Sequence, residues 1–304
     1  MDHADIRRRI EAVTGPLPPA ERRCDLAPET LADDERNGLR YRKLRLQVEP
    51  GDSCLAWLIE PSTAATAPRP AMLCLHQTTR IGKDEPAGLG GIPDLHYASE
   101  LAARGYVTLA PDYPRFGEST TDAYALGYAS ATMKGVWNHL RAMDFLTQHD
   151  GVDAARIGVI GHSLGGFNAL MAAAYDPRLR CCVSSCGFTS FPWNDDEGRG
   201  EPGDIRDWGH AGYMPRIASH YHNSAAELPW DFPDVMALIA PRPLFINAPE
   251  GDFFQVAGVR DCVARTRSWF SRLDVVHPAG PHAFPNPERM AAYQFIDSTL
   301  SPPN

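Results

Sequence analysis

The chain has 304 residues, 43% of them hydrophobic, enough to bury a full core in one large domain. Its net charge of −9 at pH 7 argues against a protein that tracks phosphate backbones, which needs clustered Lys and Arg, so nucleic acid is not an expected partner. No stretch approaches the roughly 18 apolar residues that span a bilayer, and the basic Arg7-Arg8-Arg9 has no apolar run behind it.

Neither a membrane partner nor an export signal is therefore read, and a cytoplasmic location is expected; a leader already removed would leave no mark. The seven cysteines are an odd number without metal-ligand or disulfide-framework spacing. They read as buried thiols of a reducing compartment.

Residues 1–40 mix charge and proline around one helical stretch, Ile6 to Val13, and read as an N-terminal extension on the surface of a catalytic domain spanning 41–304. Two extended runs, Tyr41 to Val48 and Cys54 to Ile59, are split by Pro50-Gly51-Asp52 and predict an antiparallel hairpin at a sheet edge. From Ala71 onward, short apolar runs alternate with helix-length amphipathic segments. The runs are Ala71 to Leu75, Tyr106 to Ala110, Ile157 to Ile160, Cys181 to Ser185, Leu244 to Asn247 and Leu273 to Val276. Their lack of polar alternation suits strands covered on both faces. The expected fold class is α/β, with a mostly parallel central sheet and helices on both faces. The rhythm breaks between Phe188 and Met236, rich in Trp, Tyr, Pro and Gly. A structureless loop of that length is unusual inside a domain, so 188–236 reads as an inserted cap or lid. Its aromatic residues suit either a sugar or acyl pocket or the lid's own small core.

The strongest chemical signal is Gly161-His162-Ser163-Leu164-Gly165, a G-x-S-x-G pattern directly after the strand Ile157 to Ile160 and before a helix. A nucleophile at so sharp a strand-to-helix turn needs small neighbours, and the following helix turns its N-terminal N–H groups toward developing negative charge. These residues resemble the α/β-hydrolase superfamily, in its esterase branch of acetyl xylan esterases, dienelactone hydrolase-like proteins and prolyl-oligopeptidase-like catalytic domains. The resemblance runs from about residue 40 to the C-terminus.

That resemblance implies a serine, acid, histidine order. It places the acid in Ala248-Pro249-Glu250-Gly251-Asp252, with Asp252 expected and Glu250 as the alternative on the same loop. The histidine follows the last strand, where His282 fits and His277 competes; Ala283-Phe284-Pro285 resembles the family's run there, although Pro281 departs from it. Ser163 would attack, His282 would carry the proton, and Asp252 would orient the imidazole. The oxyanion donors would be the N–H of Leu164 and that of Gln77 or Thr78, in a His76-Gln77-Thr78-Thr79 loop where relatives often carry His-Gly. The loop lacks the glycine run of hormone-sensitive lipases.

Asp112 to Ser119 resembles the family's structural turn, and the charges of Lys83, Asp84 and Glu85 read as solvated. His220-Tyr221-His222 has metal-like residue types without ligand spacing, so no metal site and no cofactor are expected. The expected function is a serine carboxylesterase or acetyl esterase acting on small-molecule or carbohydrate esters. The alternatives are an aminopeptidase-like serine hydrolase, whose relatives carry a large propeller for which 304 residues leave no room, and a non-catalytic binding protein on the same fold.

Overall fold

The computed structural model describes residues 2–195 and 202–301. The strands are β1 (Glu29–Arg36), β2 (Leu39–Glu49), β3 (Asp52–Pro61), β4 (Arg69–Leu75), β5 (Val107–Pro111), β6 (Val152–His162), β7 (Cys182–Ser185), β8 (Leu244–Asn247) and β9 (Leu273–Val276). The helices are α1 (His3–Thr14), α2 (Tyr97–Ala103), α3 (Ala131–Gln148), α4 (Leu164–Tyr175), α5 (Arg216–Tyr221), α6 (Phe232–Ile239), α7 (Val256–Thr266) and α8 (Asn286–Leu300).

The apolar runs become strands because both of their faces are covered. In β4, Ala71, Leu73 and Leu75 enter one core layer while Met72 and Cys74 enter the other; in β8, Leu244 and Ile246 oppose Phe245 in the same way. The first layer is closed by α1, α3, α4, α6 and α7, the second by α2 and α8. The sheet has nine strands in the order β1-β2-β3-β5-β4-β6-β7-β8-β9. The β1, β2 and β3 pairings are antiparallel, and β5 through β9 pair in parallel. The chain leaves β4 toward β5 on one side and later enters β6 on the other. Loops beyond the C-terminal ends of β4 and β6 therefore diverge and leave a crevice, the usual ligand position in open α/β sheets.

Three regions differ from the sequence-based expectation. Residues 29–36, assigned to a surface extension, form the edge strand β1. All eight are exposed, so no apolar alternation betrays them; backbone pairing to β2 holds them in place, with the exposed ion pairs Asp33–Arg40 and Glu29–Arg45 across the two strands. The turn is Asn37-Gly38, with φ of 53° and 73°, a pair of residues suited to a tight hairpin.

Lys83 and Glu85 are buried rather than solvated, at 0% and 2% exposure. Lys83 Nζ donates to Asp112 Oδ2 at 2.8 Å and Glu118 Oε2 at 2.6 Å, and the Lys83 N–H donates to Asp112 Oδ1 at 2.9 Å. An ammonium is tolerated in the interior because these carboxylates compensate it. Asp84 accepts from Trp57 Nε1 at 2.7 Å.

In the stretch expected as an insertion, α6 packs on α4 and α7 as part of the first layer and runs on to Ile239. Residues 196–201 of that stretch lie outside the described residues. The rings of Phe191, Trp208, Trp230 and Phe232 pack on one another, and Trp208 meets Phe167 of α4 edge-on at 5.0 Å between centroids. The segment thus has its own aromatic core and is docked on the helix that follows Ser163.

The seven cysteines are all free, six buried and Cys24 half-buried. Burial pushes the Cys181 thiol up to about 12. Among the described residues, no helix is long and apolar enough to cross a membrane.

Candidate active site

Ser163 occupies the turn between β6 and α4 with φ 54° and ψ −122°, a conformation that costs a non-glycine residue about 1–3 kcal/mol and persists only where the surroundings enforce it. They do so through main-chain contacts. A Cβ on Gly161 would lie 2.2 Å from the Gly165 carbonyl oxygen, and a Cβ on Gly165 would lie 1.9 Å from that of Leu75. Both glycines of the motif are therefore steric requirements of the strand-helix junction. Although Ser163 holds the N-cap position of α4, its side chain makes no capping bond, so its hydroxyl is not consumed by the helix. The Leu164 N–H at the first position of α4 has no acceptor one turn back.

The loop after β4 is shaped by a buried histidine. His76 Nδ1 donates to the Gln77 carbonyl at 2.6 Å, and its Nε2 accepts the Tyr113 N–H at 2.9 Å. These partners admit only the neutral Nδ1–H tautomer, and burial holds His76 below its ordinary range. Because the Gln77 carbonyl and the Thr78 N–H share one planar peptide, His76 also sets the direction of that N–H.

Asp252 and His282 come together from the loops after β8 and β9. His282 Nδ1 donates to Asp252 Oδ1 at 2.8 Å, and the same oxygen accepts the Phe254 N–H at 2.9 Å. The Asp252 side chain is 1% exposed and that of His282 17%. His282 Nε2 is buried and has no hydrogen-bond partner among the described residues. Phe253 stacks on the imidazole at 4.2 Å with planes 24° apart, which fixes the ring's orientation. The alternatives lie elsewhere. Glu250 pairs with Arg260 on the exposed surface, and His277 Nδ1 donates to the Ala248 carbonyl at 2.8 Å, tying two loops together.

Three polar residues that the sequence reading passed over hold the histidine loop from below. Asn247 Nδ2 donates to the Ala283 carbonyl at 3.0 Å and to Ser185 Oγ at 2.9 Å; Cys186 Sγ donates to the same carbonyl at 3.5 Å. Ser185 Oγ also shares a hydrogen bond with His162 Nδ1 at 2.9 Å. His162 is 2% exposed, with burial the main cause of a pKa well below the ordinary range. Asn247 and Ser185 end their strands, and polar residues closing apolar runs were the available signal. Cys186, Asp252 and His282 offer sulfur, oxygen and nitrogen atoms within 4.8 Å of one another, the donor types that hold zinc, but the acid and histidine already engage each other. In the His220-Tyr221-His222 run, His220 pairs with Ser219 and His222 with Glu227.

Ser163 opens into a cavity of about 270 Å³. Leu164, Phe167 and Phe254 give it an apolar wall; Trp208, His210 and Tyr213 come from the stretch expected as an insertion. A strained serine at a helix N-terminus, an imidazole oriented by a buried carboxylate, and backbone N–H groups nearby together suit acyl transfer.

Comparison with known proteins bears on the family and the fold. Residues 118–274 match the family described as "Glucuronyl esterase, fungi". The chain is 28% identical over 251 residues to YtaP of Bacillus subtilis (strain 168), named as a hydrolase, covering 79% of this chain and 78% of that one. It is 25% identical over 227 residues to 4-O-methyl-glucuronoyl methylesterase 1 of Wolfiporia cocos (strain MD-104), covering 68% of this chain and 53% of the relative. Among solved structures, a glucuronoyl esterase from Solibacter usitatus superposes with TM-score 0.74 at 19% identity, covering 98% of this chain and 92% of that one. Acetyl xylan esterase 1 from Thermoanaerobacterium sp. JW/SL YS485 gives 0.68 at 18%, covering 99% of each. These likenesses favour ester hydrolysis over the peptidase and binding-protein alternatives. The chain belongs to the glucuronyl esterase family and is a serine ester hydrolase of the α/β-hydrolase fold.

Proposed function

We propose that Ser163 is the nucleophile, His282 the general base and acid, and Asp252 the carboxylate that orients and stabilises the imidazole, with the N–H groups of Leu164 and Thr78 receiving the oxyanion. The observation that carries this reading is the Asp252–His282 pair, whose buried Nε2, without a partner among the described residues, belongs to an imidazole packed against Phe253 and Phe254, two residues that also line the Ser163 cavity. His282 Nε2 takes the hydroxyl proton as Ser163 Oγ bonds to the ester carbonyl carbon. The electron pair displaced onto the carbonyl oxygen returns as the alcohol leaves with that proton, and water then cleaves the acyl-enzyme by the same steps reversed. Thr78 is favoured over Gln77 because His76 clamps the peptide that carries its N–H.

The substrate is an ester on a carbohydrate. Apolar Trp208 and Phe254 beside polar Asp207, His210 and Asn194 offer a pyranose both a face to stack on and partners for its hydroxyls. The relatives' names supply two arrangements, a uronic acid methyl ester and an acetylated xylan. The described residues between 188 and 231 act as a cap that supplies Asn194, Asp207, Trp208 and His210 to this wall.

The test is hydrolysis of methyl glucuronate, acetylated xylose and p-nitrophenyl acetate by the parent protein and Ser163→Ala, together with fluorophosphonate labelling. Turnover and labelling of the parent alone are expected. Activity retained by Ser163→Ala overturns the nucleophile; p-nitrophenyl acetate turnover with neither sugar ester cleaved overturns the carbohydrate substrate.

A further inference from the structure

We infer that the hydroxyl of Tyr213, carried by the inserted segment, is a third donor to the tetrahedral oxyanion, joining the N–H groups of Leu164 and Thr78. This rests on the proposed roles of Ser163 and Thr78.

Tyr213 lines the same cavity as Ser163 and Leu164. Its hydroxyl lies 2.9 Å from Thr78 Oγ1, on the loop proposed to receive the oxyanion. Thr78 Oγ1 is three covalent bonds from the Thr78 nitrogen, so the phenol oxygen lies within reach of an oxygen atom bound to that N–H. When the Thr78 hydroxyl donates to the phenol oxygen, the phenol proton is left to point into the cavity, and the donation strengthens it as a donor.

The phenol is also held in advance of the reaction, as effective oxyanion stabilisation requires. The turn before it is fastened to the catalytic core at several points. Tyr113 Oη donates to the Gly212 carbonyl at 3.2 Å, Tyr124 Oη to the Ala211 carbonyl at 2.6 Å, and the Thr132 N–H to the Tyr213 carbonyl at 3.2 Å. His210 Nδ1 accepts the Gly212 N–H at 3.0 Å, and its ring lies 4.4 Å from that of Tyr213. Burial raises the Tyr213 pKa above its ordinary range, which keeps the hydroxyl protonated. It donates a hydrogen bond as the carbonyl oxygen takes up the electron pair and keeps its own proton throughout.

The experiment compares the parent with Tyr213→Phe, Thr78→Val and the double variant, using p-nitrophenyl acetate turnover, inhibition by phenylboronic acid, which forms a tetrahedral adduct on the serine, and thermal melting. Tyr213→Phe is expected to lower kcat by about ten- to a hundredfold with KM changed less than about twofold, and to weaken boronate inhibition by a similar factor. Thr78→Val should lose less, and the double variant no more than Tyr213→Phe alone, because threonine acts through the phenol. A kcat for Tyr213→Phe within about twofold of the parent, or equal losses in both single variants with unchanged boronate inhibition, overturns the inference. If Tyr213→Phe fails to fold, boronate inhibition of Thr78→Val decides: severalfold weakening supports the inference and no change overturns it. A parent that hydrolyses esters but is not labelled at Ser163 removes the reading beneath it instead.

Discussion

The two halves of the site are held by different means. On the serine side, backbone packs on backbone, with Gly161 against Gly165 and Gly165 against the Leu75 carbonyl, leaving no room for a methyl group. On the histidine side, side chains do the holding, with Asn247, Ser185 and Cys186 suspending the loop through Ala283, and Phe253 and Asp252 orienting the ring. Main-chain contacts fail abruptly, whereas side-chain networks lose geometry in steps. The serine side should therefore respond to substitution by unfolding, and the histidine side by graded loss of rate.

On the histidine side the largest expected effect on rate is at the acid. Asp252→Asn should lower kcat by about 10⁴-fold while melting stays near that of the parent, because the imidazole loses both its tautomer and the compensation of its charge. Glu250→Gln, which breaks only an exposed pair with Arg260, should stay within about twofold. Steady-state hydrolysis of both variants decides the assignment, and a reversed result would move the acid to Glu250.

Next comes Gly165→Ala, which should lower stability by several kcal/mol, since the intruding methyl meets a carbonyl in a strand rather than the end of a flexible side chain. Chemical denaturation measures this; a folded, active variant would contradict the contrast between the two halves. Asn247→Ala should be intermediate, leaving the Ala283 carbonyl short of a donor at a cost of about 1–3 kcal/mol. That cost should appear chiefly as a lower kcat, and an unchanged kcat would show that Cys186 and Phe253 suffice.

Acid should sharpen the contrast further. His76 in the loop after β4, His139 on α3 and His162 beside Ser163 are buried, and burial lowers all three, His139 to about 3. Each binds its proton more weakly in the native state than in the unfolded chain. Their stabilisation is complete above the unfolded value near 6.5 and is lost as pH falls below it, at about 1.4 kcal/mol per pH unit for each group until its native value is reached. His139→Gln should remove one such contribution, so its urea midpoint should fall less steeply between pH 6.5 and 5. An identical slope would show that His139 takes up its proton within the native state.

Much of the site was legible in the residues because it is encoded locally. G-x-S-x-G after an apolar strand leaves few alternatives, since its glycines are demanded by contacts within a few residues or one neighbouring strand. The Asp252–His282 pair was expected from the chain order that the family resemblance implies, with Glu250 and His277 left as alternatives; the loops after the adjacent parallel strands β8 and β9 bring the two together. The edge strand β1 was missed because its wholly exposed face carries no apolar period, although Asn37-Gly38 was a usable signal. Lys83 was misread because a buried lysine looks like a solvated one until its carboxylates, distant in sequence, are seen around it.

What the sequence by itself determined is the fold class and the strand-to-helix turn at Ser163, both of which rest on periodicity and short-range sterics. The tertiary structure alone paired Asp252 rather than Glu250 with His282, clamped the Gln77–Thr78 peptide through His76, and brought the Tyr213 hydroxyl to Thr78. Each of those depends on which side chains meet across loops from different strands, a matter of packing and of pairing buried polar groups that no local pattern records.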